Sequence, residues 1–212
     1  MTRKVFWEDP YLTRHETVIT SVRGQEVTVA STIFYAFSGG QESDSGTLQG
    51  LPVLEARKDG LEIVYSLPEG HGLAPGQAVA MEVAWDRRYR LMKLHFAAEL
   101  VLELACRAMP GLVKVGAHIA EGKARIDFLW PEPITPWLPR LGAEVQAVID
   151  ADREIVSAFE DEALERRFWE VPGLARVPCG GTHLRRTGEV GRVRLKRNNI
   201  GGGKERIEIY RD

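Results

Sequence analysis

Two pairs of metal-type side chains, each four residues apart, stand out in the chain: His95 with Glu99, and Cys179 with His183. On a helix, residues four apart share one face, roughly 5–6 Å between Cβ atoms, so an imidazole and a carboxylate can close on one ion. The second pair lies in Pro178-Cys179-Gly180-Gly181-Thr182-His183, a glycine-rich turn in which a thiol and an imidazole can converge. Thiolate and imidazole are ligands that zinc favours, and one carboxylate would complete a tetrahedral set. The same residues also suit a buried thiol, a histidine that caps the loop and a core histidine at position 95. Cys179 beside His183 is a third arrangement, that of a nucleophile with its base.

These residues need a fold to bring them together, and the composition allows one. The chain has 212 residues, 44% hydrophobic and 27% charged, enough for one large domain or two small ones with a real core. Such a balance excludes a disordered chain or a collagen-like fibre. Two cysteines, Cys106 and Cys179, exclude a disulfide scaffold. No window approaches the ~18 consecutive apolar residues of a membrane span, and the first residues, MTRKVFWEDPYLTRHE, lack the apolar run of a secretory signal. A cytosolic protein with no membrane partner is expected.

The net charge of −2 argues against a general polyanion binder. Its distribution is uneven, since from Arg166 onward 12 Lys and Arg face 5 Asp and Glu. That segment is where a phosphate backbone would be attracted, unless its arginines pair with the acidic remainder.

Residues 17–36, rich in Val, Ile, Thr and aromatics around Arg23-Gly24, read as paired strands. Asp59-Gly60 between two alternating runs is a strong hairpin signal. With AVAMEVAW as its last strand, residues 1–85 read as a small β-barrel-like domain. From Asp86, a plausible N-cap, Leu91, Leu94, His95, Ala98, Val101, Leu102 and Ala105 follow helical spacing until Pro110-Gly111 stops it. A hairpin around Glu121-Gly122 follows, then a second long helix from Ile134 to about Ala158, then two strands joined by a glycine-rich turn. Residues 86–212 are therefore predicted as an antiparallel sheet with helices packed on it, and the whole chain as α+β.

Four runs carry a resemblance. CGGTHLRRTGEVG, from Cys179, resembles the C-x-G-T-H signature of the alanyl-tRNA editing family, which comprises the editing domain of alanyl-tRNA synthetase and the free-standing AlaX-type proteins. The run Ser38 to Gly46, SGGQESDSG, is similar to that family's GGGQPSDTG loop, and Thr32-Ile33-Phe34 to the T-x-F strand before it. NNIGGGKERIEIY resembles its glycine-rich turn before an R-I-x-I strand. The order and spacing, from residue 31 to residue 210, match a medium-length member: a β-barrel-like domain, then the editing domain, with no aminoacylation domain.

The resemblance implies a deacylase that hydrolyses mischarged alanine tRNA in trans, Ser-tRNA(Ala) and also Gly-tRNA(Ala). A pocket built for alanine discriminates only about 10²-fold against an analogue that merely adds a hydroxyl, so a second site must correct the error. It further implies one zinc held by His95, Glu99, Cys179 and His183, with Thr32 reading the serine hydroxyl and Gln41 and Gly40 forming the pocket. The acceptor stem of tRNA(Ala) would lie along Arg185, Arg186, Arg194 and Lys196, with Arg192 and Arg197 nearby. One departure stands out: the family's first zinc motif is H-x-x-x-H, whereas this chain has Glu99 in the second place. Glutamate is a legitimate zinc ligand, or a base. A non-catalytic zinc or tRNA-binding module, and a metal-dependent hydrolase of a small ester or amide, remain open beside this reading.

Overall fold

The computed structural model describes all residues, 1–212, and divides them into two units. Met1–Ser38 and Glu42–Tyr89 form the first; Gly39–Gln41 and Arg90–Asp212 form the second.

The first unit holds β1 (Arg3–Lys4), β2 (Arg14–Arg23), β3 (Glu26–Val29), β4 (Ser31–Thr32), β5 (Gly46–Leu48), β6 (Leu51–Pro52), β7 (Glu55–Asp59), β8 (Glu62–Ser66) and β9 (Ala78–Val83). Seven of them make a curled antiparallel sheet in the order β6-β5-β9-β2-β3-β8-β7, the half-barrel that the strand-rich sequence predicts. The curl runs through β2, whose first half pairs with β9 and whose second half pairs with β3 across a register shift between Ile19 and Ser21. A bulge bends its strand and increases its twist, which lets one strand serve two halves of the sheet. The Asp59-Gly60 turn forms as predicted, with Asp59 opposite Glu62 and Gly60 at φ +58°, a left-handed conformation that glycine adopts freely. Val27, Val29, Ile33, Phe34, Tyr65 and Met81 fill the core.

One buried ion pair holds the loop that leaves this core. Arg88, fully buried, donates from Nε to Asp44 Oδ1 at 2.7 Å and from its terminal nitrogen to Oδ2. It also donates to the carbonyls of Pro10 at 2.9 Å and Ile33 at 2.5 Å. Asp44 in turn closes the loop on Tyr35: its N–H donates to the Tyr35 carbonyl at 3.0 Å and its carboxylate accepts the Tyr35 N–H at 2.6 Å. Gly39, Gly40 and Gln41 lie within the segment so closed.

Helix α1 (Trp85–Ala108) begins one residue before the predicted N-cap, so Asp86 sits inside its first turn, where a carboxylate still favours the positive end of the helix dipole. Its middle is apolar on most sides, with Leu91, Met92, Phe96, Ala97, Leu100 and Val101 inaccessible. Next come β10 (Val113–Ile119), β11 (Ala124–Leu129), α2 (Leu138–Asp150), β12 (Val156–Asp161), β13 (Arg166–Val171), β14 (Ala175–Pro178), β15 (Val193–Gly201) and β16 (Lys204–Arg211). Four strands form an antiparallel sheet in the order β10-β11-β16-β15. On one face lie buried Ala124, Ile126, Phe128, Ile207 and Ile209; the alternate residues Arg125, Asp127, Arg206 and Glu208 carry ion pairs on the other. Helix α2 packs against β15 and buries Leu141, Val145 and Ile149.

The second helix was expected to run from Ile134 to about Ala158, and this is corrected at both ends. Thr135–Trp137 is a 3-10 turn, and the α-helix stops at Asp150 because Asp152 turns left-handed at φ +44°. The residues beyond, Val156-Ser157-Ala158-Phe159, pair instead with β13. A separate three-stranded sheet in the order β12-β13-β14 follows; the helical reading covered only its first residues, and no element was expected at β13 or β14.

Candidate metal centre and cavity

His95 and Glu99 project from one face of α1, one turn apart. Cys179 and His183 arrive from the turn after β14, which is tied to β13 through Val177 opposite Trp169 and through the Cys179 N–H to the Arg167 carbonyl at 2.8 Å. The turn approaches the helix so closely that a Cβ on Gly181 would stand 2.6 Å from His95 Nδ1, within the imidazole's own space. Glycine is required there for its missing side chain.

The four side chains form a cluster that can hold a metal ion, their candidate donor atoms all lying within 4.8 Å of one another. Cys179 Sγ is 3.5 Å from His95 Nε2, Glu99 Oε1 is 3.5 Å from the same nitrogen, and Glu99 Oε2 is 3.3 Å from His183 Nε2. Edges of a tetrahedron built on zinc bond lengths are roughly 3.3–3.6 Å, so these spacings and this donor set fit the ion. The outer contacts orient the donors. The Nδ1 of His95 faces the Thr182 carbonyl at 3.4 Å, which as donor there leaves Nε2 free to ligate, and the Gly181 N–H donates to Cys179 Sγ at 3.4 Å.

Electrostatics point the same way. Burial favours the neutral form of both imidazoles, yet the neighbouring Glu99 and Cys179 outweigh it and raise both histidines above their ordinary value. Burial would likewise raise Glu99, but the two histidines hold its carboxyl well below the carboxylate range. Cys179 is pushed up by burial and by Glu99, and brought down, on balance, by His95 and His183. Each shift favours the charged form of its own group, so the two acidic and two basic side chains support one another in this buried cluster.

Gly40 and Gln41 join this centre from the signature loop. The Ile119 N–H donates to the Gly40 carbonyl at 2.7 Å, and Gln41 forms a parallel bridge with Ile119. Gly40, at φ +93°, lies against β10 so tightly that a Cβ would come 2.7 Å from the Ala117 carbonyl oxygen. Gln41, 1% exposed, donates from Nε2 to Thr182 Oγ1 at 2.9 Å, while its Oε1 is buried with no hydrogen-bond partner.

Beside the cluster is a cavity of about 70 Å³, whose lining includes His95 and Glu99 of the cluster and the apolar Ala98, Leu102, Ala117, Ile119, Ile126 and Val177. Since a water's share of the liquid is ≈ 30 Å³, the space admits a side chain of a few atoms. Sequence reasoning missed these walls, although Ala98 and Leu102 stand three and seven residues after His95, on its side of α1.

The other expected residues are placed differently. Thr32 is fully buried in the first unit, where its hydroxyl bonds to Tyr65 Oη and accepts the Phe34 N–H at 2.9 Å. Arg186 pairs with Asp152 at 2.8 Å, and Arg197 makes a two-point pair with Glu205 at 2.5 and 2.6 Å. Arg185, Arg192, Arg194 and Lys196 are exposed; Arg194 lies over the Tyr210 ring at 4.8 Å and Lys196 stands opposite Glu208. Arg194 and Lys196 are on the sheet face opposite Ile126, away from the cavity.

Comparison with known proteins agrees with this geometry. Residues 172–208 match the family described as the threonyl and alanyl tRNA synthetase second additional domain, a stretch that includes Cys179 and His183. The chain is 32% identical to the alanyl-tRNA editing protein AlaX-M of Pyrococcus horikoshii, over 99% of this chain and 98% of that protein. It is 30% identical to the AlaX-M protein of Saccharolobus solfataricus over 98% of each. Against the alanine–tRNA ligase of Ignicoccus hospitalis it is 30% identical over 98% of its own length but 26% of the ligase. The chain belongs to the alanyl-tRNA editing protein family.

Proposed function

We propose that this protein is a trans-acting editing deacylase that hydrolyses the ester joining a wrongly attached serine, and also glycine, to the 3′ end of alanine tRNA in the cytosol. The observation that carries this reading is the buried, unpartnered Oε1 of Gln41 in a centre that also holds a four-donor cluster and a small cavity. A serine hydroxyl can donate to that oxygen, whereas alanine leaves it unpaired. A site that hydrogen-bonds a hydroxyl rejects the analogue lacking it far better than a plain pocket rejects an added one. The apolar walls limit the side chain to a few atoms and keep bulk water from the ester.

We assign zinc to His95, Glu99, Cys179 and His183; when bound, with Glu99 giving up its position, it would supply a Lewis acid for the ester carbonyl or an anchor for the α-amino group. Gln41 fixes the serine side chain, Gly40 and Gly181 let backbone approach without obstruction, and His95 is held in one orientation by Thr182. Because an aminoacyl ester is already activated, positioning of this kind accounts for much of the required rate. The family resemblance also assigns Thr32 to the serine hydroxyl, which has its own test below. Arg185, Arg186, Arg194 and Lys196 are proposed to contribute a weak, salt-sensitive attraction for the acceptor stem.

The test is release of serine from Ser-tRNA(Ala), followed on one preparation before chelation, after it and after zinc is restored, together with its metal content. Turnover that falls with the zinc and returns with it supports the assignment; a protein that never releases serine refutes the deacylase.

A further inference from the structure

Strand β10 contains a register break with a consequence for the cavity. Lys114 stands opposite Phe128 and Gly116 opposite Asp127, so Val115 is an extra residue with no counterpart on β11. Beyond it, Ala117 and Ile119 share the face of Ile126 and Ala124, which lines the cavity side, while Gly116 and His118 share the opposite face with Asp127 and Arg125. Regular alternation carried back from Ala117 would put Val115 on the cavity side and Lys114 on the far side. The bulge reverses this: Lys114 falls on the face of Phe128 and Ile126 and lines the cavity. Re-aiming one side chain beside a site is a recurrent use of a β-bulge.

The charges around the cavity give that placement a meaning. Apart from His95 and Glu99 in the metal cluster, the lining has two charged side chains, Glu103 and Lys114. Glu103 is taken by Arg107 at 2.7 Å, one helical turn on. Lys114 is exposed and makes no ion pair, so the rim presents one free ammonium on a flexible stem next to apolar walls. The group it fits is an anion on a ligand whose uncharged part enters the cavity.

We propose that Lys114 binds the phosphate on the 5′ oxygen of the terminal nucleotide of the charged tRNA. This rests on the deacylase reading above. In an aminoacyl-tRNA the ester and this phosphate are carried by the same ribose, so an ester held at the cluster brings one formal negative charge to the rim. Lys114 is then a binding residue for every correctly ended tRNA, independent of the amino acid attached and of base sequence.

The test uses two small esters, seryl adenosine with the amino acid on the 3′ oxygen, and the same compound carrying a 5′-phosphate. For the wild-type protein the phosphorylated ester should have a KM about tenfold lower, the size of one hydrogen bond to a charged group. In Lys114→Ala the ratio of the two KM values should fall to about one, and Lys114→Arg should keep most of it. On whole Ser-tRNA(Ala), Lys114→Ala should also reduce the slope of log affinity against log salt by about one. A wild-type protein that cleaves both esters with equal KM, or a Lys114→Ala variant that keeps the tenfold ratio, overturns the assignment of Lys114 and leaves the deacylase standing. A wild-type protein that cleaves neither ester nor Ser-tRNA(Ala) overturns both.

Discussion

Gln41 and Thr182, 141 positions apart in the chain, are joined by a hydrogen bond of 2.9 Å from the amide Nε2 to the threonine hydroxyl. Thr182 also faces His95 Nδ1 with its carbonyl, at 3.4 Å. One residue of the C-G-G-T-H turn therefore orients both the amide of the signature loop and a donor of the metal cluster. With its nitrogen so engaged, Gln41 presents its oxygen, and that oxygen is buried with no partner. An orphaned buried acceptor costs about 1–3 kcal/mol, which under the proposed function a hydroxyl-bearing substrate would recover on binding.

Gln41→Leu removes that acceptor. The expected outcome is a fall of roughly 10-fold to 100-fold in the preference for Ser-tRNA(Ala) over Ala-tRNA(Ala), following the same 1–3 kcal/mol, with zinc content retained. Steady-state kcat/KM on the two substrates checks it; an unchanged ratio removes Gln41 from hydroxyl recognition.

The metal set is tested by two kinds of substitution. Cys179→Ala or His183→Ala should release about one zinc per chain, measured by elemental analysis, and full occupancy in both would take these residues out of the centre. Glu99→His restores the residue found in the family motif. If Glu99 is a ligand, zinc and turnover are both kept, because an imidazole nitrogen can coordinate at about 2.0–2.1 Å from the same position. Zinc retained with turnover reduced by the ~10²–10⁴ typical of a lost general base would assign Glu99 to proton transfer. The expected result is the first, since Glu99 already spans both histidines at 3.3 and 3.5 Å.

Both i, i+4 pairs were legible in the sequence, because helical periodicity and a glycine-rich turn are local properties. So were the hairpins at Arg23-Gly24, Asp59-Gly60, Glu121-Gly122 and the glycine-rich turn before β16, each announced by its own turn residues, whereas the β12-β13-β14 meander was not. The end of α2 was not: Val156 to Phe159 can continue a helix or start a strand, and the choice is made by β13, where their partners Glu170 to Arg167 lie beyond an intervening turn. The side to which Lys114 points was hidden for a similar reason, since a bulge is defined by the partner strand. Nor could spacing reveal that Gly181 must lack a side chain, because the atom it avoids belongs to His95, 86 residues earlier.

Thr32→Val separates two roles of one hydroxyl. The substitution leaves Tyr65 Oη fully buried without its bond to Thr32, so thermal or denaturant unfolding should show a loss of about 1–3 kcal/mol. If Thr32 also reads serine, as the family resemblance implies, the ratio of Ser-tRNA(Ala) to Ala-tRNA(Ala) hydrolysis falls as well. Lower stability with an unaltered ratio would confine Thr32 to packing and hydrogen bonding in the first unit.

Asp44→Asn leaves Arg88 as a buried cation without its carboxylate. Removing one partner of a buried ion pair typically costs about 3–5 kcal/mol, and here the substitution also weakens the closure of the loop on Tyr35. A marked drop in the unfolding midpoint is expected in denaturant titration. A change below about 1 kcal/mol would mean that Arg88 is satisfied by the carbonyls of Pro10 and Ile33 alone.

The most direct measurement is the rate of serine release from Ser-tRNA(Ala) set against alanine release from Ala-tRNA(Ala), at equal protein and salt concentration with zinc-loaded wild-type protein. The expected result is hydrolysis of the serine ester at least about ten times faster, the least that one hydrogen bond made to serine and missing for alanine supplies. Equal rates, or faster loss of the correct amino acid, would contradict an editing role for Gln41 and the centre it joins.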